Sequence, residues 1–150
     1  MLLAASNPTF VLYALTTVAL VLLLLVLWAY SGFVRGKTRT AMNPEDGRRF
    51  GADVVAHDPP EVARVLRAHA NAQASIVPFL LLGLLFVALG GGARTGAALF
   101  GTFVAARLAH AVVYLAGRQP WRTLCFIAGG VATMVLLVDT LHLLWRHAHG

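Results

Sequence analysis

The chain has 150 residues, of which 59% are hydrophobic and only 12% are charged. A soluble domain carries about twice that share of charge, so the composition excludes an ordinary soluble fold and favours an integral membrane protein. The net charge is +6, but the basic residues flank apolar segments, so membrane topology explains them better than nucleic-acid binding does. The length allows one domain over residues 1–150. A single cysteine, Cys125, excludes an intrachain disulfide framework and a multi-cysteine metal site.

The first predicted element is a membrane-spanning helix over residues 8–34. No charged residue precedes Arg35, and residues 10–30 are long enough to cross a bilayer, which takes about 20 residues. A secretory signal would open with basic residues, which this segment lacks, so we interpret the segment as a retained helix. A polar segment follows over residues 35–61, and its Asn43-Pro44 and Pro59-Pro60 pairs predict a loop.

Three further spans are predicted after the loop, over residues 62–90, 95–117 and 120–145. The run Gly90-Gly91-Gly92 ends the second span with a short turn, and Pro120 suits the first turn of the fourth. The four spans predict an all-α fold, an integral membrane four-helix bundle. Most Lys and Arg residues lie in or beside loop 35–61, so the positive-inside rule predicts a cytoplasmic loop with both termini on the opposite side.

Polar side chains mark one face of the third predicted helix. At about 100° per residue, Arg107, His110 and Tyr114 share a narrow arc. A mid-span arginine costs about 2.5–3.5 kcal/mol on insertion scales, so Arg107 should face protein or water, either as a structural arginine or as a functional one. Small residues four apart on the opposite side predict close helix packing within or between subunits. They are Ala97, Gly101, Ala105 and Ala109.

The second and fourth spans begin with polar groups on the loop side. Arg67 and Asn71 share one face; Arg67 is equally explained as an interface anchor, whereas Asn71 lies deeper and must find hydrogen-bond partners. Arg122 and Thr123 open the fourth span, where a helix N-terminus and an arginine together favour a carboxylate or a thiolate. An interface anchor is the alternative interpretation for Arg122.

Ionisable residues near the far end of the fourth span are predicted to be structural. Asp139 is the only acid within a predicted span, and His142, three residues later, is its predicted partner. Their distance from the basic cluster favours structure over catalysis. His147 and His149 in the tail are weak evidence for a metal, so no metal site is predicted.

The residues above form an ordered series of motifs that resembles the MAPEG family, the membrane-associated proteins of eicosanoid and glutathione metabolism. The likeness is closest to the family's prostaglandin-synthesising branch and covers the chain from the end of the first helix to the fourth. The motifs are Asn43-Pro-Glu-Asp46, Arg64-Val-Leu-Arg67-Ala-His-Ala-Asn71, Pro78-Phe-Leu80 with Gly83, Arg107-Leu-Ala-His110 with Tyr114, and Pro120-Trp-Arg122-Thr123.

The resemblance implies a homotrimer in which glutathione binds between neighbouring subunits, near the cytoplasmic side. Arg122 would stabilise the glutathione thiolate and Thr123, which replaces a serine, would assist. The implied activity is that of a glutathione-dependent transferase, peroxidase or isomerase acting on lipophilic electrophiles or lipid peroxides, since each reaction begins with thiolate attack. The residues implied to contact glutathione are Arg67, Asn71, Arg107, His110 and Tyr114, with Arg35 and Arg39 at the rim.

Four positions depart from the prostaglandin-synthesising pattern. Ala70 and Ala74 replace an arginine and a glutamate that contact glutathione, Ala72 replaces an aspartate, and Phe126 replaces a tyrosine. The amino-terminal end of glutathione therefore loses partners, which leaves weaker binding, another thiol or no thiol as alternatives. The alternative function is a non-catalytic lipid-binding membrane protein, similar to the family's lipoxygenase-activating member. A channel is disfavoured because the polar faces cluster towards one side of the membrane.

Overall fold

The computed structural model describes residues 3–150, and four long helices dominate it. Each of the four is long and apolar enough to cross a bilayer. The prediction of a helical fold with four helices able to span a membrane is therefore confirmed, although two short strands mean that the chain is not all-α. The elements are α1 (Pro8–Thr38), β1 (Thr40–Ala41), α2 (Pro44–Phe50), β2 (Asp53–Val54), α3 (Pro60–Ala88), α4 (Ala93–Leu115) and α5 (Trp121–His149).

Helix α1 runs four residues beyond the predicted end of the first span. Its start is capped by Asn7, whose side-chain oxygen accepts a hydrogen bond from the Thr9 amide at 3.0 Å. The helix continues past residue 34 because basic side chains in a last turn complement the helix dipole. It ends at Arg39, which adopts the left-handed conformation with φ of 50°. Arg35, expected at the start of the loop, therefore lies in the last turn of α1.

The segment predicted to be a polar loop contains a small β-α-β unit. Strands β1 and β2 pair in parallel, and α2 connects them. Acidic residues fill the first turn of α2 and basic residues fill its last turn, which is the arrangement that a helix dipole favours. Gly51 ends α2 with φ of 60°, a conformation that glycine adopts without strain. The high charge of this segment led to the loop prediction, although the order of the charges is that of a helix.

Helices α1 and α5 lie at opposite corners of the four-helix bundle. Both α1 and α5 pack on α3 and α4, which touch each other across the centre, and α1 shares no contact with α5 within the described residues. At one end, the Thr9 hydroxyl donates to the Gly91 carbonyl at 3.0 Å and ties α1 to the α3–α4 turn. At the end that carries the loop, Val34, Val62 and Val65 form a small apolar cluster.

Aromatic rings fill the centre of the bundle, and apolar side chains cover its outside. Phe79 and Phe103 stack with their centroids 3.6 Å apart, and Phe100 meets Phe79 edge-on at 6.0 Å. Trp28 and Trp145 are at least 60% exposed and lie towards opposite ends of the bundle, where tryptophans anchor membrane proteins at the interface. The chain is a multi-pass integral membrane protein.

The stripe of small residues on α4 does not pack against another helix of the chain. Ala97, Gly101 and Ala105 line an open groove of about 420 Å³ between α1 and α4, and Ala109 is exposed. Of the two alternatives that the sequence left open, close packing between subunits stays a prediction.

The pairing predicted for Asp139 and His142 is wrong. The only ion pair within residues 3–150 joins Arg35 to Asp58, with Nη2 and Oδ1 2.7 Å apart. Asp139 lies half-buried at the edge of the packed face of α5, whereas His142 is exposed. Residues three apart on a helix are close enough to pair, but here one side chain lies against the bundle and the other lies on its outer surface.

Candidate functional site

A polar cleft of about 280 Å³ opens where α3, α4 and α5 meet, on the loop side of the bundle. Each of these helices contributes to its wall, so the packing of the bundle assembles the cleft from segments far apart in sequence. Five of the lining residues were singled out as candidate site residues from the sequence, and Phe126 was noted there as a departure. The lining residues are Asn71, His110, Tyr114, Arg122, Thr123 and Phe126.

Arg122 is the charged group of this cleft. It is half-buried in the first turn of α5, and its guanidinium carbon lies 5.0 Å from the centroid of the Tyr114 ring. This is a cation–π arrangement, which holds the guanidinium against a flat surface. His110 lies one helical turn before Tyr114, with the ring centroids 5.5 Å apart. Arg122 is thereby held beside the two aromatic side chains of α4 that line the cleft.

The carboxamide of Gln119 bridges Arg122 and Thr123. One amide atom lies 2.7 Å from Arg122 Nη2 and 3.2 Å from its Nε, and the other lies 3.1 Å from Thr123 Oγ1. A guanidinium carries donors only, so the atom that faces Arg122 is the amide oxygen and the one that faces Thr123 is the nitrogen. Arg122 therefore has two fixed supports, an aromatic ring and an amide oxygen.

Arg107 lies behind the cleft rather than in its wall. Its side chain is 2% exposed. Nη1 donates to Ser75 Oγ at 2.9 Å and to Asn71 Oδ1 at 3.4 Å, and Nη2 donates to the Phe126 carbonyl at 3.5 Å. The guanidinium also lies over the rings of Phe103 and Phe126. Within the subunit Arg107 thus contacts protein groups and connects two lining residues, Asn71 and Phe126, which agrees with the structural alternative.

Gly129 makes room for the Arg107 guanidinium on α5. A Cβ at this position would lie 2.6 Å from Arg107 Nη2 and 2.9 Å from Nε, whereas nothing lies within 4 Å of a Cβ at Gly130. We expect Gly129→Ala to lower the unfolding free energy by about 1–3 kcal/mol, as overpacking does in a filled core. Gly130→Ala, the matched control, should be neutral or gain about 0.5–1 kcal/mol from helix propensity.

Thermal unfolding of both glycine variants in detergent measures this difference. Gly129→Ala combined with Arg107→Met should recover part of the lost stability, because the added methyl then meets a flexible side chain. Equal melting temperatures for Gly129→Ala and Gly130→Ala would contradict the placement of Arg107 against α5.

The comparison with known proteins assigns the chain to a family. The family model described as the MAPEG family matches residues 13–142. The chain belongs to the MAPEG family. Prostaglandin E synthase of Homo sapiens is 33% identical over 147 residues, which cover 97% of this chain and 95% of that protein. Microsomal glutathione S-transferase 1 of Rattus norvegicus is 37% identical over 131 residues, covering 83% and 84% of the two chains.

The resemblance drawn from the sequence motifs is therefore confirmed at the level of the family. The matched range contains every residue that lines the cleft of this MAPEG protein. The two relatives are named as enzymes of different activity, so the match supports an enzyme family and leaves the reaction open.

The remaining three candidate residues of the MAPEG protein, all arginines, also lie outside the cleft. Arg67 is exposed on α3, one turn before Asn71. Arg35 and Arg39 line a separate cavity of about 450 Å³, formed by the end of α1 and the segment that follows it. Arg35 is engaged there, since its Nη2 donates to Asp58 Oδ1 at 2.7 Å. Within one chain, Arg35 and Arg39 therefore do not reach the same cavity as Arg122.

The positions that depart from the prostaglandin-synthesising pattern fall into two groups. Ala70 and Ala74 are exposed on α3, on the turns that flank the cleft residue Asn71. Ala72 is buried in the core, where a methyl group packs without the cost of an unpaired carboxylate. Phe126 lines the cleft, with its ring centroid 6.2 Å from that of His110. Around Asn71 and Phe126 the wall therefore offers apolar surface where polar side chains were expected.

Sequence reasoning gave no role at the site to Gln119 or to Asp58. Gln119 precedes Pro120, the N-cap of α5, and therefore lies outside the helix. Helical spacing thus does not predict its contacts with Arg122 and Thr123. Asp58 has no local signal either, because it meets Arg35 across 23 residues of chain.

Proposed function

We propose that this MAPEG protein is a glutathione-dependent membrane enzyme, a transferase, peroxidase or isomerase for lipophilic electrophiles or lipid peroxides. The observation that carries the proposal is the position of Arg122. Arg122 is half-buried, and its guanidinium lies in the cleft against the Tyr114 ring. The name of one relative, a microsomal glutathione S-transferase, supports glutathione as the co-substrate.

Arg122 supplies what a thiol needs to become a nucleophile at neutral pH. A free thiol has a pKa of about 8.5, and lowering it by two units takes about 2.7 kcal/mol of differential stabilisation of the thiolate. The half-buried guanidinium of Arg122 contributes to that stabilisation through charge and hydrogen bonding. Bound glutathione would supply a sulfur nucleophile for an electrophilic carbon or for the oxygen–oxygen bond of a peroxide.

The other lining residues provide neutral hydrogen-bonding groups beside this charge. The Asn71 amide and the Tyr114 phenol can each bind peptide groups of glutathione, since each offers both a donor and an acceptor. Asn71 is held by Arg107 at 3.4 Å, so its amide is oriented before a ligand arrives. Orientation before binding lowers the entropic cost of holding the ligand.

The surroundings of the cleft favour an apolar second substrate. Leu124, Phe126 and Ile127 are each about half exposed on the α5 surface that borders the cleft. In a bilayer this surface faces acyl chains, so a lipid-soluble electrophile reaches the cleft from the membrane. The same surface would repel a charged substrate, because charged groups are costly to bring into the hydrocarbon region.

A homotrimer accounts for the two separated sets of candidate residues. One subunit holds Arg35 and Arg39 in a cavity distinct from the Arg122 cleft, so a ligand that contacts both sets must bind between copies. The exposed stripe that includes Gly101 offers the kind of surface on which membrane helices pack closely. Native mass spectrometry in detergent should show three copies. A stable monomer with full activity would contradict a shared site.

The proposed orientation places the segment between α1 and α3 in the cytoplasm and both termini on the other side. The excess of Lys and Arg in and beside that segment supports this sidedness. Reporter fusions near Arg48 and at the C-terminus should give opposite signals. The same signal at both points would contradict a four-span topology.

A lipid-binding protein without catalysis is the second candidate. The apolar Ala70 and Ala74 beside the cleft favour it, because they remove partners expected for glutathione. The purified protein in detergent should conjugate glutathione to a lipophilic aryl halide if the enzyme proposal holds. Binding of a lipid without any glutathione turnover, towards either halides or lipid hydroperoxides, would favour the second candidate.

A further inference from the structure

Gln119 lies outside every motif that marks the family, yet it contacts both residues expected to act on the thiol. The family-like motif begins one residue later, at Pro120. The Gln119 amide oxygen accepts from Arg122 at 2.7 and 3.2 Å, and the amide nitrogen donates to Thr123 Oγ1 at 3.1 Å. Two neighbouring groups of the cleft are thus held by a single neutral side chain.

The contact with Arg122 fixes one edge of the guanidinium and leaves another for the ligand. Nε and Nη2 point at the amide oxygen, so Nη1 is the nitrogen that this contact leaves available. An arginine side chain has several rotatable bonds, and anchoring it reduces the freedom that a ligand would otherwise have to remove. A neutral anchor does this without cancelling the positive charge, as a carboxylate would.

The contact with Thr123 sets the direction of a proton. A threonine hydroxyl has one hydrogen and two acceptor positions. Because the Gln119 nitrogen occupies one acceptor position, the hydroxyl hydrogen of Thr123 does not point at Gln119 and is available for a ligand in the cleft. Thr123 would then donate to an anion rather than accept from a neutral thiol.

We infer that Gln119 is a positioning residue of the cleft, which anchors Arg122 with its charge intact and orients Thr123 as a donor to the glutathione sulfur. The inference rests on the proposed function for the identity of the ligand. The geometry of the anchor itself involves only residues of this chain.

The test compares Gln119→Ala and Gln119→Glu in the full-length protein, with Gln73→Ala as a matched control. Gln73 is exposed on α3 and is the other glutamine of the chain. The readout is the ultraviolet absorbance of bound glutathione thiolate as a function of pH. For Gln119→Ala we expect the pH at which half of the bound glutathione is ionised to rise by about 0.5–1 unit. This is the scale at which hydrogen bonds to charged groups contribute. We call this pH the midpoint.

Gln119→Glu separates anchoring from charge. A glutamate keeps Arg122 in place but pairs with its charge and requires the Thr123 hydrogen for itself, so its midpoint should rise further than that of Gln119→Ala. The control should match the wild type. An unchanged midpoint in Gln119→Ala would overturn the inference, as would a midpoint in Gln119→Glu no higher than that in Gln119→Ala.

A measurement without any thiol separates this inference from the proposed function. In protein labelled with ¹⁵N-arginine, the Arg122 Nε–H signal, identified by its loss in Arg122→Lys, should exchange slowly with solvent in the wild type and rapidly in Gln119→Ala. Rapid exchange in the wild type overturns the anchor. Slow exchange in a wild type that shows no thiolate refutes the proposed function and, with it, the role of Gln119 towards the sulfur.

Discussion

Replacing Arg122 by leucine is expected to lower glutathione turnover by about 10²–10³-fold, the scale seen when one preorganised donor to a developing charge is removed. Leucine keeps the bulk beside Tyr114 but removes the charge and all the donors. Arg122→Lys should retain part of the activity, because an ammonium keeps the charge and lacks the planar fork that meets both the Gln119 oxygen and the ligand. Turnover of a lipophilic halide under saturating glutathione measures the effect.

The pH dependence of Arg122→Leu distinguishes loss of the thiolate from loss of the fold. Arg122 is expected to lower the thiol pKa, and a lowered pKa keeps the nucleophile ionised down to lower pH. The deficit of the variant should therefore be largest at neutral pH and should shrink as the pH rises towards about 8.5, the pKa of a free thiol. A deficit that stays constant across this range, or a variant that loses its oligomeric state, would contradict a role in thiolate stabilisation.

Restoring the missing polar residues should tighten glutathione binding. Ala70 and Ala74 are exposed on the turns around Asn71, so the double variant Ala70→Arg with Ala74→Glu adds side chains beside the cleft without overfilling the core. One new charge-assisted hydrogen bond contributes about 1.5–3 kcal/mol, so we expect the Kd for glutathione to fall by at least about tenfold. Isothermal titration in detergent measures this change.

Ala72 provides the control for that gain. It is two residues from Ala70 but only 4% exposed, so Ala72→Asp places a carboxylate in the core and should destabilise the protein rather than improve binding. No gain from the Ala70 and Ala74 double substitution, in a protein that folds and assembles as the wild type does, would favour the lipid-binding alternative.

The bundle and most of the cleft followed from local sequence patterns. Uninterrupted apolar runs predicted the four spans, because a bilayer demands about 20 such residues from each helix. The rotation of about 100° per residue in a helix then predicted that His110 and Tyr114 share one face of α4, and both line the cleft in the structure. Arg122 and Thr123 were singled out because they follow a proline that opens a helix.

The position of a side chain around the helix axis does not reveal how deeply it is buried in the bundle. Arg107 shares the arc of His110, but it lies about 4.5 Å farther along the helix axis and is enclosed by Ser75, Asn71 and the α5 backbone. Enclosure depends on which helices become neighbours, and sequence periodicity does not specify that. The contact of Arg35 with Asp58 was missed for the same reason, since it depends on how the segment after α1 folds back.

The most direct test of the central claim is the absorbance difference between glutathione bound to the wild-type protein in detergent and free glutathione at neutral pH. If the Arg122 cleft binds and ionises glutathione, a thiolate band appears on binding, saturates with glutathione concentration and is absent in Arg122→Leu. Saturable binding of a lipid with no thiolate band at any glutathione concentration, in a protein that retains its assembly, would contradict the claim and favour the non-catalytic alternative.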